Sequence, residues 1–316
     1  MNRLPILCAV FVLFLAACAS ADPSATPAAV PTRTPGVLPA EATPRPTDTP
    51  APGTEGPGVE VDVEPFDPTN FSDPTSITNE WLPLTPGSQW HFEGTAEVDG
   101  VEYSRRVVLA ITDLTKEIGG ITAVAGYELD YTDDVLSEAE LAFWAQDDDG
   151  TVWRLGEYPE VYEDGQIVET PAWFHGLEEA AAGIAMKAVP RPFTASYSQG
   201  WGPAVGWTDR GRVFEVNSET CVPFDCYTGV LVIAEFSNDD PDVYQFKYYA
   251  RGIGSVRVGW GGAREEEHEV LELVEFNTLT PAEMDAIRDS ALAQEQRGYE
   301  LSHVYPLTPR LQRNGG

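Results

Sequence analysis

Between Val101 and Thr132 apolar and polar side chains alternate with a period of two, which a helix of 3.6 residues per turn cannot gather on one face. Val101, Tyr103, Val107, Leu109 and Ile111 share one side of an extended segment, against Glu102, Ser104, Arg106 and Thr112. Ile121, Ala123, Ala125, Tyr127, Leu129 and Tyr131 repeat the pattern against Thr122, Glu128 and Asp130. Such segments are half-buried antiparallel strands. Turn chemistry separates them: "VDG" at 98–100, "IGG" at 118–120, "DDDG" at 147–150, "EDG" at 163–165 and "GWGG" at 259–262. Asp-Gly and Gly-Gly between strand-like runs mark hairpins, so about ten to twelve strands are expected. A sheet of that many strands accumulates twist and cannot stay flat. The expectation is an all-β domain, a long antiparallel meander forming a strongly curved sheet or half-barrel, with one C-terminal α-helix.

That helix is announced by "TPAEM". Thr280 caps, Pro281 suits the first helical position and Glu283 completes a capping box, giving a helix from 280 to 298 with Gly298 as its stop. "LEEAAA", between Gly176 and Gly183, reads as a further turn or two of helix.

The chain begins with Arg3 and an apolar run from Leu4 to Ala17. This is the build of a secretory signal (1–17), and it is shorter than the ~20 residues a membrane span requires. Leu15-Ala16-Ala17-Cys18 resembles the bacterial lipobox, which implies cleavage before Cys18 and diacylation of its thiol. Cys18 is then the bilayer anchor, and the protein faces outside the cytoplasm, at the cell surface or in the periplasm. A plain signal peptide with a chance cysteine is the alternative. Residues 18–65 carry recurring Thr-Pro steps and no aromatic side chain, so they bury too little to offset chain entropy and form a disordered stalk. The β domain follows at 66–279, then the helix, then a tail at 299–316.

With 51 acidic and 19 basic residues and a formal charge of −32, the chain is a poor partner for nucleic acid, which needs clustered Lys and Arg. Beyond the signal, only Cys221 and Cys226 join Cys18. Outside the cytoplasm two thiols flanking a turn-like "VPFD" oxidise, so a disulfide closing a hairpin is expected. A zinc site would need two further soft ligands, which are not placed nearby.

"SITNEWLPLTPGSQWHFEG" (76–94), "FWAQDDDGTVWRLGE" (143–157) and "KYYARGIGSVRV" (247–258) together resemble an uncharacterised family of bacterial lipoproteins and secreted β domains. This chain has Asn79-Glu80-Trp81 where the family pattern has Asn-Pro-aromatic. The resemblance implies a β-rich extracytoplasmic domain and brings no catalytic residues with it. At the level of fold alone, long β meanders of this kind resemble the half-barrels of lipoprotein and lipid carriers.

Catalytic motifs are missing. His91, His175, His268 and His303 have no metal-ligand spacing, no G-x-S-x-G elbow is present, and "GIGSVRVG" lacks the dinucleotide spacing. A carboxylate pair of glycosidase type is defined by distance in space, which a sequence does not state. No cofactor is implied, and a non-enzymatic protein is expected. Asp147 and Asp149 near Gly150, and Asp239, Asp240 and Asp242 around Pro241, are oxygen ligands of the kind Ca²⁺ takes. Aspartates at turns more often bond their own backbone. Trp201 and Trp207, among Gly and Pro in "SQGWGPAVGW", are expected to lie exposed in a loop and to bind ligand. Two functions follow: a binding or carrier module taking an apolar or carbohydrate ligand on the concave face, or a structural envelope or adhesion protein whose acidic loops hold Ca²⁺.

Overall fold

The computed structural model describes residues 63–237 and 242–314. Cys18, the signal segment and the chain up to residue 62 lie outside the described residues, as do Asp239 and Asp240. The first half of the sheet comprises β1 (Ser88–Val98), β2 (Val101–Ile118), β3 (Ile121–Thr132), β4 (Val135–Gln146), β5 (Val152–Glu163), β6 (Gln166–Glu169), β7 (Trp173–Phe174) and β8 (Ala181–Met186). The second half comprises β9 (Tyr197–Ser198), β10 (Gly200–Trp201), β11 (Asp209–Cys221), β12 (Cys226–Ser237), β13 (Tyr244–Ala250), β14 (Gly254–Gly261) and β15 (Val270–Thr278). After α1 (Pro281–Leu301), β16 (Gln312–Arg313) adds to β2. The 16 strands exceed the expected number because five are short, of two to four residues; the other eleven are β1 to β5, β8 and β11 to β15.

Two meanders, β1 to β5 and β11 to β15, join where β1 pairs antiparallel with β15. The sheet runs from β10 at one edge to β9 at the other, and a single residue, Gln199, separates those two strands in the chain. The edges therefore lie side by side although no ladder joins β9 to β10, so the sheet is open but strongly curved. Tight hairpins feed this curl: Asp99 and Gly100 between β1 and β2 both have positive φ, 53° and 75°, the combination of a two-residue turn matched to strand twist. "GWGG" behaves differently. Gly259, Trp260 and Gly261 remain in β14, and the chain leaves the strand only at Gly262.

Both faces of the central strands are buried. On one face Ala123, Ala125, Phe143 and Leu155 pack with Ala291 of α1 and Tyr305. On the other, Val124 and Trp144 pack with Leu231, Ile233, Val256 and Leu271. Each fully buried side chain of this size contributes roughly 1.5–3 kcal/mol. The capping box of α1 forms as expected: Thr280 Oγ1 accepts from the Glu283 amide, and the Glu283 carboxylate from the Thr280 amide.

The helix passes its expected stop and ends at Leu301, because Gly298 serves packing: a Cβ there would lie 3.0 Å from Tyr305 and 3.2 Å from Tyr158. "LEEAAA" is not helical. Glu178 and Glu179 adopt φ of 50° and 63° in a turn, and Ala181 begins β8, whose pairing with β5 outweighs the helix preference of alanine. The disulfide forms between Cys221 and Cys226, paired residues at the β11–β12 hairpin. Among the described residues no helix is long and apolar enough to cross a membrane.

Candidate functional site

The concave side is partly filled by the chain's own N-terminal segment, which puts Ile77, Trp81 and Leu84 into the inner core. Asn79 holds it in place. Its Nδ2 donates to the carbonyls of Gly150 (2.9 Å) and Lys187 (3.2 Å), and its Oδ1 accepts from the amides of Trp81 (2.9 Å) and Leu82 (3.2 Å). Gln146 Oε1 accepts from the amides of Thr78 and Asn79, and the Gly252 amide donates to the Glu80 carbonyl. Arg251 lies over the Trp81 ring, 4.0 Å from its centroid.

Beside this segment the sheet encloses a hollow of about 110 Å³. Leu109 of β2, Glu128 of β3, Trp144 of β4, Arg154 of β5, Glu235 of β12 and Lys247 of β13 all reach it, so its wall is drawn from almost the whole circumference of the sheet. Asp209, Trp207, Gln199 and Ser255 complete its polar side. An adjoining hollow of about 60 Å³ shares Leu82, Leu84, Leu109, Glu128 and Ser255 and continues along Trp90, Phe92 and Val107. The pair thus has a charged end and a greasy end.

The charged end contains two internal pairs. Arg154 Nη1 lies 2.8 Å from Glu157 Oε2, and Lys247 Nζ pairs with Glu235, which also accepts from Gln199 Nε2 at 2.7 Å. The Arg154 guanidinium sits 5.5 Å and 5.4 Å from the ring centroids of Trp144 and Trp207. Burial and the nearby Glu140 charge push the Glu128 carboxyl up to about 8, with Arg154 and Lys247 opposing. Burial and Glu235 raise Asp209 to about 7, against Lys247 and Arg154. Glu140 is raised by burial, Glu138 and Glu157 by burial and the charge of Glu140. Lys247 is lowered by burial against the pull of Glu235. The interior is therefore richer in carboxyl groups than in cations, and protons offset part of the excess.

No family model matches the chain, and no curated protein matches it. Solved structures similar to it include two from Bacteroides fragilis and Parabacteroides distasonis. A candidate exported protein with a YmcC-like fold from Bacteroides fragilis is 11% identical, with 63% of this chain and 100% of that one covered and a TM-score of 0.38. A candidate lipoprotein from Parabacteroides distasonis is 10% identical, with 63% and 99% covered and a TM-score of 0.34.

Of the two tryptophans singled out in the sequence, Trp207 lines the hollow and Trp201, half-buried in β10, does not. Trp207 is not exposed: it is only 3% accessible and stacks on Trp173 at 6.0 Å. Gly200 and Gly202 make room, since a Cβ on either would fall within 2.9 Å of these indoles. Gly202 and Trp207 also pair backbone to backbone, which turns the "loop" into a tight hairpin.

The aspartates of the 147–150 turn are engaged locally. Asp147 accepts from the amides of Asp149 and Thr151 and from Trp153 Nε1, while Asp149 accepts from Asn70 Nδ2. Asp242 lies 3.7 Å from Arg264. Among the described residues no group of three or more His, Cys, Asp or Glu could hold a metal ion.

Sequence reading missed Arg154, Lys247, Asp209 and Glu235. Their signal was a single charge set inside an apolar strand run, as in "VWRL" and "QFKYY". The three stretches that carry the family resemblance converge here: 76–94 supplies Leu82 and Leu84, 143–157 supplies Trp144 and Arg154, and 247–258 supplies Lys247, Tyr249 and Ser255.

Proposed function

We propose that this protein is a lipid-anchored, extracytoplasmic binding module without catalytic activity, which takes a small ligand in the hollow of its curved sheet. One observation supports the ligand site above the others. Side chains from three sequence blocks scattered over the domain meet around a hollow with one polar and one apolar end. At about 110 Å³ it lies below the roughly 300–1,000 Å³ of a drug-sized pocket, so the guest has only a few heavy atoms. The reading as an envelope protein with Ca²⁺-binding loops has no comparable support, since Asp147 and Asp149 spend their oxygens on their own turn and on Asn70.

The anchor rests on the lipobox resemblance at Cys18, tested by labelled palmitate that enters the wild-type protein and not Cys18→Ser. The site is tested by native mass spectrometry of the intact protein from its own membranes. A co-purifying small mass, absent from an Ala185→Phe variant that fills the hollow, is the expected result. A wild-type spectrum free of any adduct under gentle desolvation counts against the reading.

A further inference from the structure

One loop runs against the charge of the chain around it. No aspartate or glutamate occurs between Glu179 and Asp209, in a chain with 51 acidic residues. The loop from β8 to β9, residues 187–196, lies within that stretch and carries Lys187 and Arg191. Neither makes an ion pair among the described residues: Lys187 Nζ sits 4.3 Å from the Tyr197 ring centroid, and Arg191 is exposed. The same loop holds the two most exposed large apolar side chains among the described residues, Phe193 at 101% and Val189 at 64%.

Its roots are fixed. Asn79 Nδ2 donates to the Lys187 carbonyl, and Arg210 Nε and Nη2 donate to Ser196 Oγ and to the Ser196 carbonyl, both at 3.0 Å. Pro190 and Pro192 restrict φ along the tip, and Thr194 Oγ1 donates to the Arg191 carbonyl at 3.0 Å. Phe193 itself takes a φ of 60°, a left-handed conformation unfavourable to a bulky side chain. The backbone thus holds the Phe193 ring out in water rather than folding it back onto the sheet.

From these observations we infer that the 187–196 loop docks on the anionic surface of a phospholipid bilayer. Phe193 and Val189 enter the boundary between headgroups and acyl chains, and Arg191 and Lys187 lie at the level of the phosphates. Charge selects this partner: cations placed behind an apolar tip meet headgroup phosphates while the tip is buried roughly 5–10 Å deep. Shape agrees, because a projecting ring needs a matching pocket in a protein partner, whereas a bilayer deforms around it. Position agrees too. The described chain begins at Val63, and Glu64 Oε1 accepts from the amide of Ser198, two residues beyond the loop. Whatever precedes Val63, including the Cys18 anchor of the proposed function, is attached there. Attachment also lowers the affinity the loop needs, because a tethered domain meets its membrane at a high effective concentration.

The test uses the full-length protein reconstituted with vesicles of phosphatidylcholine, with or without phosphatidylglycerol, in which some lipids carry a quenching nitroxide on the acyl chain. An environment-sensitive fluorophore on Ala195→Cys, exposed in the loop, is compared with the same fluorophore on Val135→Cys, 59% exposed beside the acidic turn of Asp133 and Asp134. In anionic vesicles the emission at 195 should shift to the blue and be quenched, and the emission at 135 should not. Arg191→Gln should lower the docking constant read from the quenched fraction by about fivefold, and Phe193→Ser by about tenfold. Both side chains are exposed, so neither substitution should move the melting temperature. Equal quenching at 195 and 135, or docking that neither substitution weakens, overturns the inference. Docking as strong on phosphatidylcholine alone overturns the part played by Arg191 and Lys187. A photo-crosslink from 195 to an envelope protein in native membranes, without quenching by lipid, overturns it in favour of a protein partner. The readout reports on the loop alone, so it stands or falls separately from palmitate labelling at Cys18.

Discussion

Replacing Glu128 with glutamine should make the protein more stable at pH 8 and leave it unchanged near pH 4.5. The reasoning follows from where that carboxyl sits. Its folded-state pKa is about 8 against an ordinary 4.5, chiefly because burial disfavours the charge and because Glu140 and Asp130 repel it. Between those two values the unfolded chain has released the proton and the folded chain still holds it. Stability from this group is therefore complete below about 4.5 and is lost progressively as pH rises to about 8. Each unit costs about 1.4 kcal/mol, so the full interval corresponds to roughly 5 kcal/mol before any allowance for water. Glu128 borders the hollow and keeps some solvent contact, which reduces its share to about 2 kcal/mol. Glu138, Glu140 and Glu157 are shifted in the same direction and steepen the slope. Asp113, held down by Arg288, acts in the opposite sense: its contribution is present above the ordinary carboxylate range and fades only as pH falls through its lowered value. Urea unfolding followed by tryptophan fluorescence at pH 4.5, 6 and 8 measures the effect. The wild-type midpoint should fall steadily across the series, and Glu128→Gln should recover about 2 kcal/mol at pH 8. A wild-type midpoint that rises from pH 5 to 8, or a glutamine variant with an unchanged slope, refutes the argument.

Asn79→Ala removes four hydrogen bonds that hold the inner segment; amide exchange at 77–84 should accelerate well before global unfolding, with a stability loss of about 2–3 kcal/mol. In Gly183→Ala the new methyl meets the backbone of Gln199 and Gly200, where the two sheet edges come together, so a fall in melting temperature equivalent to about 1–3 kcal/mol is expected. Cys221→Ser opens the β11–β12 end and should cost about 2 kcal/mol, as should reduction of the wild type; thiols that alkylate without prior reduction would show that the bond is not formed.

Strand phase was legible because it is local. Ala123 and Ala125 lie on one face of β3 and Glu128 and Asp130 on the other, as their spacing demands. What spacing leaves open is which face curls inward. The polar face of β3 turns toward the hollow there, while the apolar face lies under α1, a helix that follows it in the chain by about 150 residues. The start of α1 was legible for the same local reason, since Thr280 and Glu283 bond each other three residues apart. Its end was not, because Gly298 is retained within the helix by Tyr158 and Tyr305, which are distant or beyond the helix.

The same contrast explains why the site was hidden. A pairing such as Lys247 with Glu235 exists only once β12 and β13 lie side by side, and the hollow between them and β3 exists only once Gln199 brings β9 and β10 together. Burying that many carboxyl groups makes little sense for stability alone, because apolar residues of similar volume fill a core at lower cost. Their presence inside a sheet whose remaining interior is well supplied with Val, Leu and Trp is the reason to look for a guest rather than a filler.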